Sequence, residues 1–168
     1  MDNYTYFNVN INIMKKFSRK VLFILLFIIL IPSSLLLLIL YHLNKNNYER
    51  KTLILGKTEF TVEIADSTVK QSLGLSFRKN LPKNQGMLFI FSTASRYAFW
   101  MKDMNFPLDF VWIKNNTVVD ITENVPPPTS SGPLKIYRPK VPADKVLELN
   151  EGVISKKKIK LGDIIKLI

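Results

Sequence analysis

The chain has 168 residues, 47% of them hydrophobic, with one histidine, no cysteine and a formal net charge of +11. That length accommodates one domain and an attachment rather than two separate cores. The missing cysteine excludes a disulfide framework, a thiolate nucleophile, a cysteine-ligated zinc or iron–sulfur site and a lipidated cysteine anchor.

Residues 21–41, VLFILLFIILIPSSLLLLILY, carry no charge. At 1.5 Å per residue such a run covers roughly 30 Å, the thickness of a bilayer's hydrocarbon core. A single transmembrane helix is expected there, kinked at Pro32, with Ser33 and Ser34 able to bond the freed carbonyls. Lys15, Lys16, Arg19 and Lys20 crowd its N-terminal side, against Lys45, Arg50 and Lys51 beyond it. That asymmetry places the N-terminus inside and the rest of the chain outside the cell membrane. The run exceeds a signal-peptide core and YHLNKNNYERK offers no small-residue cleavage site, so an uncleaved signal anchor is expected. MKKFSRK from Met14 reads as a charged leader, which leaves the start at Met1 or Met14 open. The expected organisation is a cytoplasmic basic segment over 1–20, the anchor over 21–41, a linker over 42–51 and an extracytoplasmic domain over 52–168. His42, the sole histidine, falls at the membrane boundary.

Residues 1–51 hold seven basic and two acidic side chains, net +5, and residues 52–168 hold 17 and 11, net +6. Much of the basicity is therefore topology signal. Lys156, Lys157, Lys158 and Lys160 account for much of the rest, and no arginine-rich or aromatic-interleaved basic stripe is present. No nucleic-acid partner is expected.

In the outer domain, 52–55 and 60–65 read as strands across a Gly56-Lys57 turn. Asp66 or Ser67 caps a short helix running to about Leu73 and ended by Gly74. The turn-forming segment 81–86 precedes an apolar strand at 87–91, and RYAFWMK over 96–102 reads as an aromatic strand. Segments 108–114 and 117–123 form a hairpin about Asn115-Asn116, a pair that tolerates positive φ. A proline-rich loop follows over 125–133, then strands at 146–149 and 164–168. About seven short strands and one or two short helices predict an α+β, β-rich fold, a compact antiparallel barrel- or sandwich-like domain.

The order VEIAD, a helix ending in GL, then FR, LP, GMLFIF, FWMK, PLD, VLEL-N-G and LGD resembles the domain of unknown function 192 family, a widespread prokaryotic family. The resemblance covers about residues 59–168 and implies a compact β-rich α+β domain, without implying an activity. Against the family pattern, Ser76 stands where methionine is usual, Gln71 where arginine is frequent, and Asp103-Met104 where an Asn-Thr pair is usual.

With no histidine, the outer domain lacks the base of a serine triad and the usual zinc ligands. Neither a calcium loop nor a phosphate-binding glycine loop is present, so no metal and no cofactor are expected. Carboxylate acid–base chemistry survives elimination: Asp103 and Asp109 bracket NFPL, and Glu123 ends a paired strand. The bland alternative is that these acids cap backbone amides or pair with Lys and Arg. Arg78, beside a helix–Gly turn, is expected to lock a loop against Asp109 or Asp103, or to face a ligand anion. Alternation sends Phe99 and Met101 to one face and Trp100 to the other. Trp100 and Tyr97, or Trp112, are the candidates for lining a cleft, with the proline-rich loop as its rim. The leading expectation is a membrane-anchored module binding an envelope polymer, peptide or protein. The rival is a carboxylate-dependent hydrolase, and the third is a domain that stabilises a membrane complex.

Overall fold

A computed structural model of the protein describes residues 33–38, 48–129 and 132–168. The chain divides into two compact units, 1–47 and 48–168. Of the first, residues 33–38 are described and are helical. The remainder of the expected membrane span lies outside the described residues, and no helix among those described is long and apolar enough to cross a membrane.

The second unit contains β1 (Arg50–Leu55), β2 (Thr58–Ala65), α1 (Thr68–Leu73), β3 (Gln85–Ser95), β4 (Leu108–Lys114), β5 (Thr117–Val125), β6 (Ala143–Asn150), α2 (Val153–Lys157) and β7 (Ile165–Leu167). These strands form one sheet in the order β5-β4-β6-β3-β2-β1-β7. The sheet curls until its ends meet: Thr117 bridges Ile164, and the amide of Ile165 donates to the Asn116 carbonyl at 2.8 Å. Barrel-like closure of this kind covers edges that would otherwise be open templates for pairing.

Local chemistry explains most boundaries. Gly56, at φ +61°, makes the β1–β2 turn, and Asn115, at φ +57°, makes the β4–β5 turn. Ser67 caps α1 by accepting the Lys70 amide, and Gly74 ends it at φ +51°. The sheet is mixed rather than antiparallel, because β2 and β3 run parallel. Their connection carries α1 and a long loop, which is enough chain to return to the starting end. The aromatic segment 96–102 is not a strand of the sheet. It makes only the Phe99–Tyr137 bridge and lies across the sheet's face, with the Phe99 ring edge-on to Phe89, Phe110 and Trp112. Its alternation records which rings face inward, a requirement that a strap shares with a strand.

Two cores result. One draws Leu53, Val62, Leu88, Val111, Leu147 and Ile165 from six different strands and fills the inside of the curl. The other lies on the opposite face, where Met87, Phe89, Phe110, Trp112 and Val146 pack under the segments around 75–81 and 97–106. The central strands β3, β4 and β6 are consequently buried on both sides.

Candidate functional site

The second face holds acids that a one-sided sheet would have placed in water. Register aligns Arg50, Glu63, Met87, Glu148, Phe110 and Thr122 in one row across five strand pairings. Gly86 permits the close approach that sets this row, since a Cβ there would lie 2.7 Å from the Glu148 carbonyl oxygen. Both carboxylates in the row are buried, in opposite electrostatic settings.

Glu63 accepts hydrogen bonds from Arg78 and, at 3.2 Å, from Arg50. Burial alone would raise its pKa, but the two guanidinium groups outweigh burial and hold it below the usual carboxylate value. The Arg78 guanidinium also lies 5.5 Å from the centre of the Tyr48 ring, and the Arg78 carbonyl accepts from Asn105. Arg78 thus ties its loop to Glu63, and neither Asp109 nor Asp103, the partners expected from sequence, is bonded to it.

Glu148 is 5% exposed and forms no hydrogen bond or ion pair with the described residues. Burial pushes its carboxyl up to about 8, opposed only by the field of Arg78. At neutral pH it is chiefly the uncharged acid, able to donate as well as accept. It lines a cavity of about 190 Å³. The aromatic residues Phe89, Phe91, Tyr97, Phe99 and Trp100 line the same space, together with Leu73, Leu75 and Met104. A cavity of roughly 150 Å³ takes a benzene ring, so this one is sized for a single ring or a short side chain.

The walls are tied down. Phe91 and Tyr97 stack with centroids 3.7 Å apart, and the Tyr97 hydroxyl donates to the Thr93 carbonyl at 2.8 Å. Gln71 donates to the Ile90 carbonyl at 2.7 Å, where a register shift between β3 and β6 begins. Ser76 donates to the Lys102 carbonyl at 3.0 Å, and the Phe77 amide donates to the Asp103 carbonyl at 2.8 Å. These bonds lace the loop after α1 to the strap and hold the mouth at which Trp100 stands 45% exposed.

The residues singled out from sequence scatter over the domain. Tyr97 and Trp100 reach the cavity. Trp112 is fully buried, and its indole N–H donates to Thr122 at 3.0 Å. Asp109 is fully buried, with its two oxygens accepting the amides of Asn124 and Ile154 at 2.9 and 3.0 Å. Asp103 occupies an exposed left-handed turn, and Glu123 is exposed on β5. Asp103, Asp109 and Glu123 are not among the cavity's lining residues, and neither is the proline-rich loop. Among the described residues, no group of three acids or histidines is placed to hold a metal ion. The strand expected at 146–149 does not by itself show that both of its faces are covered, so Glu148 does not stand out in the sequence. An acid set between two leucines, in a segment that neighbours cover on both sides, was the available signal.

Comparison with known proteins follows the domain's limits. UPF0127 protein PH1112 of Pyrococcus horikoshii is 32% identical over 114 residues, 64% of this chain and 88% of that protein. A Sinorhizobium meliloti 1021 protein, whose assignment as a transcription regulator is provisional, has a crystal structure that superimposes with a TM-score of 0.66 at 28% identity, covering 71% of this chain and 95% of its own. A protein of unknown function from Novosphingobium aromaticivorans superimposes with a TM-score of 0.66 at 26% identity, covering 72% and 87%. The DUF192 family model, described as "Uncharacterized ACR, COG1430", matches residues 51–167. With that match spanning most of the chain, and with the curled, strapped sheet shared by two solved structures, this protein belongs to the DUF192 family.

Proposed function

We propose that the protein is a ligand-binding module, anchored through residues 21–41 and presenting its curled sheet on the outer face of the membrane. The observation that carries the binding reading is the aromatic-walled cavity with Glu148 unpartnered in its lining. The Glu148 carboxyl makes no side-chain bond with the described residues, so its bonding capacity is available to a group that enters the cavity. The uncharged 21-residue run and the basic cluster before it support the anchor and its direction.

The reading is tested on the full chain in detergent micelles, by following Trp100 emission and thermal unfolding against a panel of small amines, alcohols, acids and monosaccharides. Saturable binding that shifts Trp100 emission and raises the unfolding temperature supports a cavity ligand. Absence of binding across the panel removes the reading. The anchor is tested separately by protease accessibility in intact cells: digestion from outside must reach 48–168.

A carboxylate-dependent hydrolase is the second reading, and the Glu63–Glu148 pair favours it. One acid is held ionised and the other neutral, the arrangement used for general base and general acid. Two strand spacings separate their backbones, about 9.6 Å. Against it, Glu63 is occupied by two arginines and does not line the cavity. Turnover of an envelope glycan that Glu148→Gln abolishes would establish this second reading over the first.

A further inference from the structure

The composition of the cavity limits what it can hold. Its ionisable lining residues are Glu148 and Tyr97, so it contains an acid and no basic side chain. Arg78, the cation whose field reaches Glu148, is committed to Glu63 and is not a lining residue. A cation that neutralises Glu148 in place must therefore arrive with the ligand. The surrounding ring faces carry negative quadrupole density, which attracts ammonium groups where water is excluded.

The rest of the wall suits an apolar stem better than a polyol. Gln71 has its amide on the Ile90 carbonyl and Ser76 has its hydroxyl on the Lys102 carbonyl. Thr68 and Ser72 are the remaining side-chain hydroxyls besides Tyr97. A sugar ring there would find few side-chain partners for its hydroxyls among a lining that is mostly apolar. Leu73, Leu75 and Met104 suit an apolar stem instead. Resting on the binding reading above, we propose that the cavity takes a primary ammonium on a short alkyl stem, seated on Glu148 and the faces of the aromatic rings. A free alkylamine and a peptide's lysine side chain present the same chemistry.

Binding of such a group is linked to proton release. A ligand ammonium titrates near 10.4 and stays charged, whereas Glu148 must lose its proton to pair with it. Few other groups enter this equilibrium. Arg78 faces Glu148 from the loop after α1, and Glu63 lies beyond Met87 on β2, paired to Arg78 and Arg50. Tyr97 stands on the strap, β3 carries no ionisable residue, and the buried acid of β4, Asp109, is bonded to backbone amides. On Glu148's own strand, Asp144 and Lys145 pair with each other.

The test is calorimetry on the full chain in detergent micelles with n-pentylamine, Nα-acetyl-lysine methylamide and the neutral 1-pentanol. Pentylamine affinity is expected to rise about tenfold per pH unit between pH 6 and 7.5 and to level off above pH 8. At pH 6.5, runs in two buffers of different ionisation enthalpy should show close to one proton released per amine bound. Glu148→Gln should lose amine binding by about a hundredfold or more and keep any pentanol binding. The proton count on the unaltered chain keeps the test valid even if that variant folds poorly. Binding of the lysine derivative identifies a peptide as the source and binding of pentylamine alone a free amine; both uphold the inference. Pentanol binding without amine binding, or amine binding without proton release, overturns it and leaves the cavity reading standing. Failure of all three ligands, and of the wider panel, overturns both.

Discussion

Replacing Glu148 by glutamine should remove a pH dependence that the unaltered domain is built to show. Below pH 4.5, the ordinary glutamate value, Glu148 is protonated whether the chain is folded or not, and the fold carries no penalty from it. Above that value the unfolded chain ionises while the native carboxyl keeps its proton until about pH 8. The unfolded state is thus favoured by up to about 1.4 kcal/mol for each pH unit across the interval. Between pH 5.5 and 7.5 the loss amounts to roughly 2–3 kcal/mol, a substantial share of the roughly 5–15 kcal/mol that stabilises a typical domain. At roughly 3–5 °C per kcal/mol, the unfolding temperature should fall by on the order of 10 °C. The domain has no histidine, so no other side chain of ordinary pKa titrates in that window. The assay is thermal unfolding of the full chain in micelles at half-unit pH steps, with Glu148→Gln alongside. Glutamine keeps the shape and cannot ionise, so its curve should be flat where the unaltered curve descends. Two curves that run parallel from pH 5.5 to 7.5 would refute the assignment of Glu148 as a buried neutral acid.

Glu63 should respond in the opposite direction, because its pKa lies below 4.5 in the fold: its contribution is present above that pH and is lost as acid protonates it. Glu63→Gln leaves Arg78 and Arg50 without their carboxylate, and urea unfolding at pH 7 should show a loss of about 1–3 kcal/mol that shrinks by pH 3. Gly86→Ala places a methyl group 2.7 Å from the Glu148 carbonyl oxygen and 2.9 Å from a Leu149 methyl. Its unfolding free energy in urea titration should fall by about 1–3 kcal/mol, and an unchanged midpoint would mean that β3 and β6 are not so closely set. Asp109→Asn keeps one acceptor oxygen where two amides need one each. A loss of about 1–3 kcal/mol in the same assay identifies Asp109 as a support for the β5 and α2 ends, and full stability would argue against that role.

Local chemistry was legible in the sequence and long-range arrangement was not. The β4–β5 hairpin, the Ser67–Gly74 helix limits and the β1–β2 turn each follow from residues within a few positions of one another. Helix α2 does not announce itself: Val153–Lys157 begins at a left-handed Gly152 with no side-chain cap and packs by Ile154 and, less deeply, Val153. The parallel β2–β3 pair depends on where the connection over 66–84 returns, which no local pattern encodes. The site was half legible. Tyr97 and Trp100 stood out as aromatics on a patterned segment, whereas Glu148 acquires its character from the strap and loop laid over its strand. A linear reading compares acids near one another in sequence, such as Asp103 and Asp109, whereas Glu63 and Glu148 are 85 positions apart and come into one row only through the sheet.

The position of β6 has a consequence for how the chain reaches this structure. It is the sixth strand in sequence and the third in the sheet, bonded to β4 on one side and β3 on the other. Until Ala143–Asn150 arrives, β5-β4 and β3-β2-β1 are two separate ribbons that share no hydrogen-bonded edge. Joining them pairs residues 32–42 positions apart on β4 and 48–63 apart on β3, a search that makes folding slow compared with local hairpins. During that search β3 and β4 present apolar edges to any other unfolded copy. A chaperone acting on this domain would therefore have its greatest effect before β6 is seated, and a short β6 peptide supplied in excess would compete for the same gap.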